Sequence, residues 1–440
     1  MSHHQGGVAA EQAAFPFRIE RFASALVDGA PDPRTRGWFE AVRLGFHEPR
    51  PEEDHLKAFV EAHRADGREI TGVYDDGERP GPWDPAVPVA SYATMTHTVN
   101  VGAGRLLDAH QITAVTVRPT HRRRGILRRM MTDDLASAAR RGLPLALLTA
   151  SEATIYGRFG FGAATTLRHV EVDVTERFGI TSPPAGRVEV LDPSVIEETA
   201  RDVFAGFHAR HRGSVDRQRS YIERVTARWS DGKPEADRSL RTAVHYDAAG
   251  TADGYVAYAF SGWEEPYTVK IVDLVAIDDA ARRELWRYLG SLDLVQRIQY
   301  HAAPEEDVLP WALSDSRVHA VKGAEDHLWV RVLDPVAALE ARGWEDDGAA
   351  AVRITDALGH AAGSYRIEVS GGRARVGRLG EHDDVDAVLG VDALGSLYLG
   401  GVRAELLAAA GRVEAASSGA LSKVDALFRT AARPSCITGF

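Results

Sequence analysis

Residues 115–128 run from an apolar strand through three consecutive arginines and a glycine, and the turn opens directly into a helix. Such an arrangement suits a pyrophosphate. The first backbone N–H groups of a helix point outward without intrahelical partners, and the helix dipole favours negative charge there. Gly125 allows the backbone to approach phosphates closely, while Arg122, Arg123, Arg124 and Arg128 surround the same end with positive charge. Arginines at a helix N-terminus oppose the dipole, so they are badly placed without an anionic partner. A basic solvated turn, or a nucleic-acid contact, is the competing reading of the same residues.

The elements that must position this turn are legible around it. Leu127, Met130, Met131, Leu135 and Ala138 recur at helical spacing, and Gly142 with Pro144 ends the run, so a helix is expected over 125–141. Strands are expected near 69–74, 87–99 and 110–117, and the continuous apolar run 143–150 suits a buried strand. Strand, crossover helix and parallel strand make the core unit of an α/β fold. Helices are expected over 34–46 and 51–64.

The turn resembles the acetyl-CoA motif of the GNAT N-acetyltransferases, Arg/Gln-x-x-Gly-x-Gly/Ala. Arg122, Gly125 and Leu127 stand in its three signature positions, and Leu127 departs from the usual small residue. More narrowly, residues 119–130 and 150–162, the latter containing Ile-Tyr-Gly-Arg-Phe-Gly, resemble the Eis (enhanced intracellular survival) family. Residues 394–401, Leu-Gly-Ser-Leu-Tyr-Leu-Gly-Gly, and the aromatic last residue extend the resemblance along the chain. It implies an α/β and α+β protein: an N-terminal GNAT domain to residue 180, a degenerate GNAT-like domain over 181–325, and a sterol-carrier-like domain over 326–440. The second region supports this with a strand near 268–277 and a helix over 279–292. Its turn begins Ile277-Asp278-Asp279 without glycine or arginine, and those carboxylates would repel a pyrophosphate. In the third region, Asp334-Pro335 starts a short helix that Gly343 ends, two strands follow near 351–354 and 365–369, and helices are expected over 392–410 and 421–431.

The resemblance implies a direct transfer of acetyl from acetyl-CoA to an amine. The cosubstrate is expected along Val115, Thr116 and Val117, with its pyrophosphate at Arg123, Arg124, Gly125, Ile126, Leu127 and Arg128, and with Ser151 and Glu152 lining the groove. The N–H of Val117 is the candidate to polarise the thioester carbonyl. Tyr156 is the candidate general acid, since a phenol of pKa ~10 is protonated at neutral pH and suits a leaving thiolate. On the residues alone Tyr156 could equally pack beside Phe159 and Phe161. In the Eis family the base is the chain's own terminal carboxylate, so Phe440 is the candidate here, although a frayed terminus is the ordinary expectation. Glu48 could face the acceptor, while Gly439 stands where a relative can carry an acidic residue. The family also implies multi-amine acceptors of the aminoglycoside kind and a homo-hexamer. A non-catalytic CoA- or lipid-binding protein and a protein lysine acetyltransferase are the alternatives.

Composition bounds these readings. At 440 residues the chain calls for two or three domains, and its 44% hydrophobic and 26% charged residues are those of a soluble globular protein. No apolar stretch is long enough to span a bilayer, the polar residues 1–7 are no signal peptide, and the first dozen residues are expected to be disordered. A single cysteine excludes an internal disulfide framework and fits a reducing, cytoplasmic setting. The formal charge of −11 argues against nucleic acid and favours cationic substrates. No metal is expected, because His208 and His211 lack companions at ligand spacing, and Cys436 lacks a partner that would make it a nucleophile.

Overall fold

The computed structural model describes residues 15–77, 83–150 and 152–440. The expected disorder of the first dozen residues and the position of Ser151 therefore lie outside the described residues.

The first region contains β1 (Arg18–Ala23), a small hairpin of β2 (Leu26–Val27) and β3 (Ala30–Pro31), and helices α1 (Pro33–Gly45) and α2 (Glu53–Ala65). It continues with β4 (Glu69–Tyr74), β5 (Ala90–Asn100), β6 (Leu106–Val117), α3 (Ile126–Arg140), β7 (Leu145–Thr149), the short α4 (Ala153–Tyr156) and β8 (Gly162–Ala163). Local chemistry explains α1: the Asp32 carboxylate accepts from the Thr35 N–H at 2.9 Å, and Pro33 occupies the first turn. In α3, Ile126, Met130, Met131, Leu135 and Ala138 form the buried stripe that packs on β5 and β7 through Tyr92, Ala146 and Leu148.

The second region contains β9 (Thr166–Asp173), β10 (Arg187–Leu191), α5 (Glu197–Arg210), α6 (Arg219–Val225), β11 (Arg241–Tyr246), β12 (Ala252–Phe260) and β13 (Thr268–Ala276). Then come α7 (Asp279–Leu289), β14 (Arg297–Pro304), α8 (Leu309–Ala312) and β15 (His319–Asp326). After β16 (Leu328–Val332), the third region has α9 (Pro335–Ala341), β17 (Gly348–Thr355), β18 (Gly363–Ser370), β19 (Arg373–Leu379) and β20 (Ala387–Gly390). It ends with α10 (Val391–Tyr398), α11 (Ala404–Ala409), β21 (Val413–Ala415) and α12 (Ser418–Phe428). The single helix expected over 392–410 is two helices, because Gly400 at φ +84° turns the chain just after α10.

Sheet orders are β1-β4-β5-β6-β7-β16-β8 and β10-β11-β12-β13-β14-β9-β15 for the first two regions, and β19-β18-β17-β20-β21 for the third. The first two sheets have the same plan: an antiparallel run, one parallel step across a crossover helix, then antiparallel strands. Each takes its sixth strand from beyond the expected boundaries at 180 and 325. β9, which follows β8 in the chain, pairs in the second sheet, and β16, which follows β15, pairs with β7 and β8 in the first. This exchange interlocks the first two units. The third region is bolted on by the fully buried Arg331–Asp356 ion pair, 2.7 Å long, and by α10, whose Gly395 lies so close to the Val330 carbonyl that a Cβ would fall at 2.1 Å. That close approach accounts for the glycine in the 394–401 motif.

Candidate active site

The turn before α3 is shaped to leave its N–H groups free. Gly125 is the N-cap at φ +79°, no side chain caps the helix, and Arg123 also has positive φ at +64°. Alternating backbone of this kind directs successive N–H groups into one concavity that suits an anion. A Cβ on Gly125 would meet nothing within 4 Å, so the demand for glycine is conformational. Arg123, Arg124 and Arg128 are exposed and form no ion pair among the described residues, while the Arg122 Nε donates to the Val117 carbonyl at 3.4 Å. Ile126 is buried in the core and Leu127 packs half-buried against it, so these two offer the turn only their backbone.

Upstream, Val115 and Val117 face the α3 side of the sheet. The Thr116 side chain turns the other way, hydrogen-bonded to Ser91 at 2.7 Å and packed against Gly45. The Arg118 N–H donates to the Val89 carbonyl, whereas the Val89 N–H is spent on Val73. Ala90 and Val117 are therefore a non-hydrogen-bonded pair, and the Val117 N–H points away from β5.

β6 and β7 pair only at His110–Ala146 and Gln111–Leu147. A register shift opposite Ser91–Ala93, with Ala114 at φ +52°, bends β6 beyond that point. The gap so opened is a cavity of about 340 Å³ lined by Phe46, Ile112, Thr113, Ala114, Val115, Thr149, Ala150, Tyr156, His327 and Phe440. Tyr156 ends α4 and is 7% exposed, edge-on to Phe161. Phe440 reaches the cavity from the far end of the chain: its N–H donates to the Thr149 hydroxyl at 3.3 Å, and that hydroxyl donates to the Phe440 oxygen at 2.6 Å. The His327 Nε2–H donates to the Thr438 carbonyl at 3.0 Å, and burial holds this imidazole below its ordinary pKa, so it is neutral.

Comparison with known proteins decides what this geometry belongs to. Residues 29–164 and 213–332 match two models described as acetyltransferase (GNAT) domains, and 335–437 match a sterol carrier protein domain. N-acetyltransferase Eis of Mycobacterium tuberculosis is 32% identical over 364 residues, covering 81% of this chain and 86% of that protein. An uncharacterized N-acetyltransferase of Streptomyces griseus is 35% identical over 410 residues, covering 91% and 95%. The crystal structure of Eis1 from Mycobacterium abscessus superposes with a TM-score of 0.78 at 30% identity, covering 96% of this chain and all of the other. The chain belongs to the Eis family of GNAT N-acetyltransferases. It is thus an N-acetyltransferase with two GNAT domains and a sterol-carrier-like domain.

The remaining sequence candidates among the described residues fall outside the cavity. Glu152 is exposed, and its carbonyl accepts from the Ile155 N–H at the start of α4. Glu48 is exposed and paired with Arg43. Cys436 is fully buried, its thiol pushed up to about 11 by burial, and it donates to the Thr438 carbonyl at 3.3 Å. His208 is satisfied by Thr98 and Ser214, and His211 stacks on Phe207. Among the described residues, Glu52, His55 and Glu235 bring possible metal-ligand atoms within 4.8 Å of one another, and none of the three lines the cavity. Sequence reasoning missed Thr149, His327 and Tyr221, all of which hold the terminus. No pattern marks them, because their partners lie 111 to 291 residues away.

Proposed function

We propose that the chain acetylates a primary amine of a small molecule by direct attack on acetyl-CoA in the cavity between β6 and β7. What carries this reading is that one cavity receives both Tyr156 and the Phe440 terminus, on the strand that leads into an uncapped, arginine-flanked helix N-terminus. In this reading the pyrophosphate sits on the free N–H groups of the turn, with Arg123, Arg124 and Arg128 around it, and Ser151 and Glu152 border the groove. The acyl arm follows Val115–Val117, and the Val117 N–H polarises the carbonyl. The amine nitrogen bonds to the acetyl carbon as the carbon–sulfur bond breaks. Phe440's carboxylate accepts the amine proton through water, and Tyr156 donates its phenolic proton to the departing thiolate. A free α-carboxylate, pKa ~3.5, is a weak base, and an amine already partly deprotonated needs only weak help.

For the acceptor we infer multi-amine molecules of the aminoglycoside kind, supported by the family and by the net charge of −11. A second reading is favoured by the cavity wall. Among the described residues no Asp or Glu lines it, and Phe46, Ile112, Ala114 and Val115 do, which suits a compact amine on an apolar arm, a lysine side chain included. A homo-hexamer, a cytoplasmic location and the three-part division at 180 and 325 are inferred from the family resemblance.

The test is CoA thiol release with an aminoglycoside, phenethylamine and a lysine peptide, comparing the intact chain with one lacking Phe440. Turnover that falls about a hundredfold or more on truncation, with CoA binding intact, is the expected result. Equal turnover removes Phe440 from the mechanism, and silence across the panel rejects amine acetylation in this cavity.

A further inference from the structure

Residues 433–440 form neither helix nor strand, so no ladder holds their backbone. Side chains and loops from elsewhere do it instead. The Ser435 N–H donates to the Arg212 carbonyl, His327 and Cys436 both donate to the Thr438 carbonyl, and Thr149 holds Phe440. Between these, the Tyr221 hydroxyl accepts from the Gly439 N–H at 2.7 Å and donates to the Gly439 carbonyl at 3.3 Å. One hydroxyl thus fixes both polar groups of the residue before the terminus.

We infer that Tyr221, carried by the second GNAT domain, is the positioning residue that seats the terminus in the first domain's cavity. The inference rests on the proposed role of Phe440. Tyr221 does not line the cavity, so any influence it has on chemistry passes through the segment it holds. Its ring is itself clamped, with the guanidinium groups of Arg217 and Arg224 at 4.4 and 4.6 Å from the ring centre. Arg217 cannot swing, because Asp273 on β13 accepts two bonds from it at 2.7 and 2.8 Å and the Tyr255 hydroxyl on β12 a third at 2.9 Å. A buried ion pair of this fork geometry is rigid. A continuous path of contacts therefore runs from the second sheet through Arg217 and Tyr221 to Gly439 and Phe440. The domain whose own helix spends the Ala280 and Ala281 N–H groups on Asp278 contributes to the reaction by holding the base.

Tyr221→Phe removes only the hydroxyl and keeps the ring for Arg217 and Arg224. Two readouts test it. The first is release of Phe440 by carboxypeptidase A, followed by mass spectrometry, which reports how often the terminus leaves its seat. Release about fivefold to tenfold faster than from the unsubstituted chain is expected, and an unchanged rate overturns the inference. The second is CoA release with phenethylamine in chains with and without Phe440. Tyr221→Phe should lower kcat about tenfold, leave the KM for acetyl-CoA unchanged, and add nothing once Phe440 is gone. An equal loss in the truncated chain overturns the inference, since Tyr221 would then act independently of the terminus. Unchanged turnover on removing Phe440 sinks the base and with it the catalytic half of the inference, while the peptidase rate alone decides the seating half.

Discussion

Helices α3 and α7 follow the same course out of the same position in two similar sheets, and they treat their first N–H groups in opposite ways. Before α3 stands Gly125 at φ +79° with no side-chain cap, preceded by three arginines. Before α7 stands Asp278 in extended conformation, its carboxylate accepting from the Ala280 and Ala281 N–H groups at 3.0 Å each. Orphan N–H groups at a helix start need an acceptor from somewhere. In the second domain the chain supplies its own anion; in the first, on the proposed reading, the place is left to the cosubstrate. Both sheets still open beyond a short parallel pairing, two residues long for β6–β7 and three for β13–β14. On the proposed reading, the second domain differs from a cosubstrate site neither in topology nor in helix, but in the carboxylates and missing arginines of its turn.

On the proposed mechanism, Tyr156→Phe should lower kcat by about a hundredfold or more while the KM for acetyl-CoA stays within about twofold, because the proton donor would be lost and the turn that holds the pyrophosphate left as it is. A smaller loss in CoA-release kinetics would return Tyr156 to a packing role beside Phe161. Next in size is Gly125→Asp, which places a carboxylate at the N-cap of α3, the position that Asp278 holds before α7. A side chain at φ +79° is strained, aspartate less so than most because it visits the left-handed region more readily. Its carboxylate would compete with the pyrophosphate, and CoA affinity measured by calorimetry should fall about thirtyfold, roughly 2 kcal/mol. Wild-type affinity in that variant would show that the open helix start is not what holds the cosubstrate.

The elements of this contrast were legible in the sequence because they are local. The apolar spacing from Leu127 to Ala138 and the run 143–150 gave α3 and β7 to within a few residues, and the acidic turn at Ile277 marked α7 as different. The strand exchange was not legible. Nothing in the residues of β9 or β16 says which sheet they join, and their partners are chosen by tertiary packing across the boundary. The setting of the terminus was hidden for the same reason. Resemblance pointed to Phe440, but the anchors Thr149, His327 and Tyr221 are single polar residues with no motif, brought together only when both sheets and the third domain are assembled. Nor does any sequence pattern mark the bend at Ala114, a non-glycine residue at positive φ that opens the cavity.

The smallest expected effect is the reciprocal change in the second domain. Asp278→Ala removes the acceptor of two N–H groups and should cost the start of α7 about 1 kcal/mol. Hydrogen exchange in the first turn of α7 is the suitable measurement, since unfolding of a multidomain chain does not report one helix. A fivefold faster exchange there, with CoA turnover unchanged, is the expected outcome. The uncapped helix should still bind no second CoA, because Asp279 remains in its first turn and no arginine precedes it. A CoA stoichiometry of two in this variant would mean that Asp278 alone closes the second site, and that the arginines of the first turn matter less than its shape.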